Sequence, residues 1–177
     1  MPIPKNERLQ FSESNSRPLS LLPLFSKIME RCVYEQIQSY FSNNNLFTNF
    51  QHAYREKYST ATALEQMVDD WYKAIEQRKI IGTVFLDFSA AFDILDHDLL
   101  LEKLKYYRFS HSALLWIKSY LHDRHQTVYF NGSYSDIKQV KYGVPQGSCL
   151  GPLLYSIFTN DFTKNDCTKN SPNGNVC

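Results

Sequence analysis

Apolar residues recur at helical spacing in several stretches of the chain. The clearest stretch starts at Leu24, and Pro23 suits the first turn of the helix that this spacing predicts. The predicted helices span 24–41, 60–78, 98–107, 111–122 and 152–160. Polar residues suited to capping precede the second and third helices, namely Ser59 or Thr60 and Asp96 or His97.

Two other stretches have the pattern of β-structure. Residues 80–87, IIGTVFLD, form a short, apolar and β-branched run that is typical of a buried strand. Residues 126–130 and 134–142 flank Asn131-Gly132, a dipeptide that favours a hairpin turn. The order of these elements predicts an α+β fold in which helices pack on a small antiparallel sheet.

The ends of the chain are polar. Residues 1–16 show no periodicity and are predicted to form a loop, and residues 163–177 contain too few apolar side chains to pack by themselves. The predicted organisation is therefore a polar N-terminal segment over 1–16, one folded unit over 17–162 and a polar tail over 163–177.

Composition indicates a folded, soluble chain and leaves its partners open. Hydrophobic residues make up 43% of the sequence, which is enough to bury a core. The net charge of +1 neither supports nor excludes a nucleic-acid partner. The four cysteines lack the paired spacing of a zinc site, so we expect reduced thiols in an intracellular protein, nuclear or cytoplasmic. No apolar run reaches the roughly 18 residues of a membrane span.

A carboxylate that closes the apolar run over 80–87 is the first chemical signal. Buried without a partner, Asp87 would cost several kcal/mol, so it should face a cleft, a cation or hydrogen-bond donors. Asp93, Asp96 and Asp98 follow closely, and carboxylates suit Mg²⁺ or Mn²⁺. Helix capping explains Asp96 and Asp98 without a metal, and a hydrogen-bonded strand end remains an alternative for Asp87.

The second signal is a loop of defined shape over 143–152, GVPQGSCLGP. Its three glycines, Gly143, Gly147 and Gly151, can adopt positive φ and let a ligand approach the main chain. Gln146 carries both a donor and an acceptor and could read a base or sugar edge. An ordinary turn between a strand and a helix would explain the same sequence.

Four segments, taken together and in order, resemble motifs of the reverse transcriptases of non-LTR (LINE-type) retrotransposons. They are RPLSLLP at 17–23, QHAYREKYST at 51–60, FLDFSAAFD at 85–93 and YGVPQGSCLGPLLY at 142–155. The resemblance runs from about residue 15 to residue 162. It implies a right-hand polymerase in which 17–162 forms the fingers and part of the palm. It also implies RNA-templated DNA synthesis, with an RNA template, a DNA primer, dNTP and Mg²⁺ or Mn²⁺.

The resemblance further implies roles for individual residues. Asp87 matches the first metal-binding aspartate of two-metal nucleotidyl transfer, and the carbonyl of Phe88 matches an additional metal ligand. Phe92 matches the aromatic residue that excludes a 2′-hydroxyl, although a core role would also explain it. Gln146 matches the glutamine that contacts the incoming nucleotide, with Gly147 beside it.

Two arginines match the fingers motifs. Arg17 matches an arginine that pairs with the triphosphate, where a planar fork of donors suits phosphate oxygens. A surface charge beside a proline is the alternative for Arg17. Arg55 is a weaker candidate for contact with template or nucleotide, because Ala53 and its other neighbours depart from the glycine-rich form of that motif.

One departure from the family pattern affects the expected activity. The third palm motif, an aromatic-Ala-Asp-Asp turn, does not follow the predicted helix that ends near Asp161. The resemblance thus implies truncation before that motif, which carries the remaining metal carboxylates, and we expect the chain to be inactive by itself. The alternative is a non-catalytic remnant that binds nucleic acid or a partner, with salt-sensitive binding in the nucleic-acid case.

Overall fold

Five helices form the framework of the fold. The computed structural model describes residues 2–4, 16–18 and 20–162, the first two ranges as backbone only. All five predicted helices are confirmed, with ends shifted by a few residues. They are α1 (Leu24–Asn43), α2 (Thr60–Glu76), α3 (His97–Tyr106), α4 (His111–Leu121) and α5 (Leu150–Thr159).

Side-chain caps define where the middle helices begin. The Ser59 hydroxyl accepts from the Thr62 N–H at 3.3 Å, while the Thr62 side chain accepts from the Ser59 N–H at 2.9 Å. This reciprocal pair satisfies two donors that the first turn of α2 leaves unpaired. Asp96 caps α3 in the simpler way, through the Leu99 N–H at 2.9 Å. Capping therefore accounts for the Asp96 carboxylate.

Six short strands form three two-stranded antiparallel sheets. They are β1 (Pro2–Pro4) with β2 (Ser16–Pro18), β3 (Arg124–Gln126) with β6 (Lys138–Val140), and β4 (Tyr129–Phe130) with β5 (Ser133–Tyr134). Asn131 and Gly132 both have positive φ, 49° and 83°, so the predicted hairpin turn is confirmed. Two residues separate β3 from β4 and three separate β5 from β6, so the hairpin contains a bulge.

The predicted strand over 80–87 is wrong. Residues 79–88 have no regular secondary structure, and the side chains of Val84 and Phe85 are 82% and 79% exposed. A strand needs a neighbour for its backbone hydrogen bonds, and no strand of the described residues pairs with this segment. The β-branched run therefore lacks the tertiary partner on which its strand propensity depends.

The N-terminal loop prediction is also wrong in part, because β1 lies inside the 1–16 segment. Neither β1 nor β2 shows an alternating pattern, and their pairing joins positions that no local signal connects. The tail over 163–177 lies outside the described residues.

The core lies between helices rather than on a sheet, which corrects the predicted layering while the α+β class stands. Helix α5 packs on α1 and α3, and α3 packs on α4. Phe41 is fully buried, with its ring centroid 4.8 Å from that of Phe47 and 4.9 Å from that of Tyr107. The other core residues are mainly leucines and isoleucines: Ile37, Leu95, Leu100, Leu104, Ile117, Leu121, Leu150, Leu153, Leu154 and Ile157.

The apolar side chains of α1 that contribute to this core begin at Val33. Leu24 and Phe25, which the apolar spacing places on the buried face, are 70% and 81% exposed. Helix α2 has no buried residue, although its apolar side chains share one face as predicted. None of the helices in the described part of the chain is long and apolar enough to span a membrane.

Candidate active site

Two of the predicted motifs meet through backbone hydrogen bonds. In the turn over 89–93, Ala90 has φ 56° and its carbonyl accepts from the Asp93 N–H at 2.8 Å. The Val144 N–H donates to the Phe92 carbonyl at 2.8 Å, and the Gly143 N–H donates to the Leu95 carbonyl at 2.7 Å. The turn that follows Asp87 is thereby joined to the start of the glycine-bearing loop.

Gly143 is the junction of these motifs. It is buried, and its φ of +78° confirms the expected positive value. A Cβ at this position would lie 2.6 Å from the Phe92 carbonyl oxygen and 2.7 Å from Asp93 Cα. The Gly143 carbonyl accepts from Arg124 Nη2 at 2.6 Å and from His97 Nε2 at 2.8 Å. Only a residue without a side chain fits this crossing.

The side chain of Gln146 is directed at Asp93. Its Nε2 lies 2.9 Å and 3.0 Å from the two carboxylate oxygens of Asp93. The Gln146 carbonyl accepts from the Ser20 N–H at 2.8 Å, which brings the segment at 17–23 to the same place. Gly147 is exposed with φ 103°. Sequence reasoning treated Asp93 only as a possible metal ligand and missed this pairing.

Phe92 forms a half-buried wall beside the loop. Its ring centroid is 5.1 Å from that of Tyr155 and 6.2 Å from that of Tyr54. The segment at 51–60 therefore contacts the motif at 85–93 through the Tyr54 ring. Both predicted roles of Phe92, packing and a surface for a ligand, are compatible with partial exposure.

Asp87 and Phe88 lie in the irregular segment and are exposed. The Phe88 ring is 6.0 Å from that of Phe162, edge to face. Across the described ranges, no group of three His, Cys, Asp or Glu side chains lies close enough to hold a metal ion. Asp87 and the Phe88 carbonyl are thus at most part of a metal site.

The structure describes the two predicted arginines, Arg17 and Arg55, to different extents. Arg17 lies in β2, and its side chain is outside the described atoms. Arg55 Nη1 donates to the carbonyls of Thr48 and Gln51, and its guanidinium lies 4.0 Å from the centroid of the Tyr58 ring. These contacts show a structural use for Arg55 within its own loop.

A groove of about 630 Å³ opens between α1, the loop at 54–56 and the start of α5. Beside it lies a buried polar cluster that sequence reasoning missed. Glu30 of α1 accepts from the Cys149 N–H and the Tyr120 hydroxyl. The available signal was helical spacing, because Glu30 shares a face with Ile37 and Phe41.

Burial lowers the pKa of His97 below its ordinary value of 6.5. The nearby Arg124 and His122 act in the same direction, whereas the Gly143 carbonyl and Asp96 oppose it. Neutral His97 therefore donates Nε2–H to Gly143. Between the two pKa values the unfolded chain binds more protons than the folded chain, so acid favours unfolding.

We therefore expect the free energy of unfolding to fall as the pH drops below about 6.5 and to level off below the folded-state pKa. Urea denaturation at pH 7 and at pH 5 measures this change. His97→Gln, which keeps a donor for Gly143, should show a smaller loss on acidification. The exposed His111, changed to Gln, should behave like the unmodified chain. Equal pH dependence in all three proteins would contradict the assignment.

Comparison with known proteins agrees with these motifs. A model of the reverse transcriptase (RNA-dependent DNA polymerase) family matches residues 3–170. The probable RNA-directed DNA polymerase from transposon BS of Drosophila melanogaster is 35% identical over 159 residues, which are 90% of this chain and 17% of that protein. The RNA-directed DNA polymerase from mobile element jockey of Drosophila funebris is 36% identical over 160 residues, which are again 90% of this chain and 17% of that protein.

The chain thus spans about 17% of the length of these two relatives. A jockey polymerase of Drosophila melanogaster is 38% identical over 145 residues. The family match covers nearly all of the sequence, including all four motifs. The chain belongs to the reverse transcriptase (RNA-dependent DNA polymerase) family, in the branch that non-LTR retrotransposons encode.

Proposed function

We propose that this chain forms the nucleotide-facing part of a reverse transcriptase active site that copies RNA into DNA. The observation that carries the proposal is the junction between the turn at 89–93 and the loop at 143–147. It joins the turn that contains Phe92 to the loop that contains Gln146, although the two are remote in sequence. In this proposal residues 17–162 are the fingers and part of the palm, and the partners are an RNA template, a DNA primer and dNTP.

Each residue proposed to face the nucleotide has a chemical task. The Gln146 amide offers donors and an acceptor to the incoming nucleotide. The Phe92 ring, supported by Tyr54 and Tyr155, gives a flat surface that rejects a 2′-hydroxyl by its bulk. Exposed Gly147 leaves the main chain open to a ligand.

Arg17 completes the proposed nucleotide contacts. Its planar fork of donors suits triphosphate oxygens. The Ser20–Gln146 hydrogen bond supports this placement, because it brings the segment that carries Arg17 to the Gln146 loop.

In this proposal the chain supplies only some of the ligands for a divalent metal ion. The Asp87 carboxylate and the Phe88 carbonyl are hard oxygen donors of the kind that Mg²⁺ and Mn²⁺ prefer. The side chains of residues 20–162 assemble no three-ligand group, so they do not fit a complete site. A complete site therefore requires ligands beyond those that these residues bring together.

A chimera tests the proposal. The matching 160 residues of the jockey polymerase of Drosophila funebris are replaced by those of this chain, and primer extension on an RNA template is measured with Mg²⁺. We expect extension by the chimera and a loss on the order of 10³-fold or more with Asp87→Ala. Gln146→Ala should raise the KM for dNTP about tenfold.

Asp70→Ala, at an exposed aspartate of α2, is the matched control and should leave extension unchanged. A folded chimera without activity, or an Asp87→Ala variant that extends normally, would refute the proposal. The 177-residue chain by itself is expected to show no extension. The relatives are described as polymerases, so the comparisons do not favour the non-catalytic alternative.

A further inference from the structure

Glu30 is an acidic residue that is buried, although acidic side chains on helices are usually exposed. It lies in α1 and is 2% exposed, and it forms no ion pair with the side chains of residues 20–162. A buried carboxylate is tolerated when several donors replace the water that it has lost. Its position is therefore explained by the donors that surround it.

Two of these donors belong to the start of α5. Glu30 Oε2 lies 3.1 Å from the Cys149 backbone nitrogen and 3.6 Å from Cys149 Sγ. Cys149 is the N-cap residue of α5 and supplies no side-chain cap of its own. The Glu30 carboxylate, which belongs to another helix, accepts from the N–H of this N-cap residue, at the end of α5 where negative charge is favoured.

The remaining donor extends the cluster to α4. Glu30 Oε1 is 3.0 Å from the Tyr120 hydroxyl, which is also 3.0 Å from Ser148 Oγ. A phenol has one hydrogen, so Tyr120 donates to Glu30 and the Ser148 hydroxyl donates to Tyr120. Ser148 Oγ in turn accepts from the Gly151 N–H at 2.8 Å. The Trp116 ring stacks on Tyr120 and holds it in this orientation.

The loop at 143–149 is therefore anchored at both ends. Gly143 and Val144 are bonded to the turn at 89–93 and to Leu95 just after it, and Ser148 and Cys149 are bonded to the Glu30 cluster. Gln146 lies between the two anchors. Its backbone carbonyl is held by Ser20, and its side chain faces Asp93.

We infer that Glu30 is a positioning residue: its carboxylate fixes Cys149 directly and Ser148 through Tyr120, and so sets the Gln146 amide beside Asp93. The role rests on the proposed function, because the position of Gln146 matters when a nucleotide binds there. The hydrogen bonds that create it are present without nucleotide and can be measured without one.

The Cys149 thiol reports the charge of Glu30. Burial raises the pKa of Cys149, and the adjacent Glu30 raises it further, while Arg31 opposes this. Burial likewise raises the pKa of Tyr120, with Glu30 adding to the shift and Ser148 and Arg124 opposing it. Thiolate is the reactive form, so the rate of alkylation follows the local charge.

The first measurement is the iodoacetamide alkylation rate of the full chain in which Cys32, Cys167 and Cys177 are replaced by serine. Glu30→Gln should increase the Cys149 rate at pH 7.5 by at least about threefold, because loss of the charge lowers the thiol pKa. Glu35→Gln is the matched control. Glu35 is exposed on the same helix and pairs with Arg31 at 2.7 Å, so the same charge change should alter the Cys149 rate much less than Glu30→Gln does.

The second measurement follows the side-chain amide signals of Gln146 by NMR in ¹⁵N-labelled chain. Asp93→Ala gives the positions of these signals when the Gln146–Asp93 pairing is lost. Glu30→Gln should move them toward the Asp93→Ala positions, and Glu35→Gln should not. A folded Glu30→Gln protein with unchanged Gln146 signals and unchanged Cys149 reactivity would overturn the inference.

If Glu30→Gln does not fold, the Gln146 signals of Tyr120→Phe test the inference instead. It retains the carboxylate and its bond to Cys149 but removes the link to Ser148. A smaller shift of the Gln146 signals in the same direction is expected, and no shift would overturn the inference. An inactive chimera would count against the proposed function and leave these two measurements unaffected.

Discussion

Gly143→Ala is expected to lower the free energy of unfolding by about 3–5 kcal/mol, a large part of the stability of an ordinary domain. A φ of +78° costs alanine about 1 kcal/mol. The added Cβ would also lie 2.6 Å from the Phe92 carbonyl and 2.7 Å from Asp93 Cα, and both are backbone atoms. They move only if the bond between Val144 and Phe92 is disrupted. Urea denaturation followed by circular dichroism measures the loss.

Substitutions at two other glycines distinguish the effect of the steric clash from the effect of the positive φ. Gly132 has φ +83°, and a Cβ added there would meet nothing within 4 Å, so Gly132→Ala should cost only about 1 kcal/mol. Gly82 has open space and no positive φ, and its substitution should change stability by less than about 0.5 kcal/mol. Equal losses of unfolding free energy in Gly143→Ala and Gly132→Ala would mean that the backbone around Gly143 accommodates a methyl group at little cost.

The second large effect is expected for Asn160→Ala, with a loss of about 2–4 kcal/mol. Asn160 is fully buried at the end of α5. Its Oδ1 accepts from the Thr48 N–H at 2.9 Å, and its Nδ2 donates to the Leu46 carbonyl at 2.8 Å and to the Tyr107 hydroxyl at 2.7 Å. Alanine removes three buried hydrogen bonds and leaves a cavity.

The control is Asn44→Ala. Asn44 is exposed and its side chain donates to the Tyr40 carbonyl at 2.8 Å, so its loss should cost about 0.5 kcal/mol or less. Urea denaturation gives both values. Hydrogen exchange adds a local test, because the Thr48 amide should exchange faster in Asn160→Ala than in Asn44→Ala. Similar stabilities and similar exchange in the two variants would exclude a bridging role for Asn160.

Local signals predicted the elements that depend on local interactions. The five helices follow from apolar spacing, and the start of α2 follows from Ser59 at its N-cap. The hairpin follows from Asn131-Gly132, because both residues tolerate positive φ. In each case the physical cause lies within a few residues of the element.

The predictions fail where strand pairing or burial depends on residues that are remote in sequence. The run over 80–87 has the composition of a strand but no partner in the described residues. Leu24 lies on the apolar face of α1, yet no other element of the described chain packs over it to bury it. Glu30 is buried because donors from Tyr120 and Cys149 reach it, and nothing adjacent to it in sequence shows this.

For the candidate site as well, some features were predictable from the sequence and others were not. Asp87, Phe92 and Gln146 were named from motif resemblance, since their residue types and order are visible in the sequence. Which of them lie together could not be predicted, because the answer depends on backbone bonds at Gly143. The partner of Gln146, Asp93, was visible only in the fold.

The bond between Gln146 and Asp93 means that the glutamine amide is already occupied by an acceptor of full negative charge. A ligand that takes over the N–H directed at Asp93 must displace the carboxylate, so there it exchanges one hydrogen bond for another, whereas the second N–H and the oxygen of the amide can add bonds. Asp93 thus acts as a tethered competitor whose effective concentration is set by the turn. A weak acceptor at the same place would lose this competition, whereas a ligand held by several contacts at once would win it.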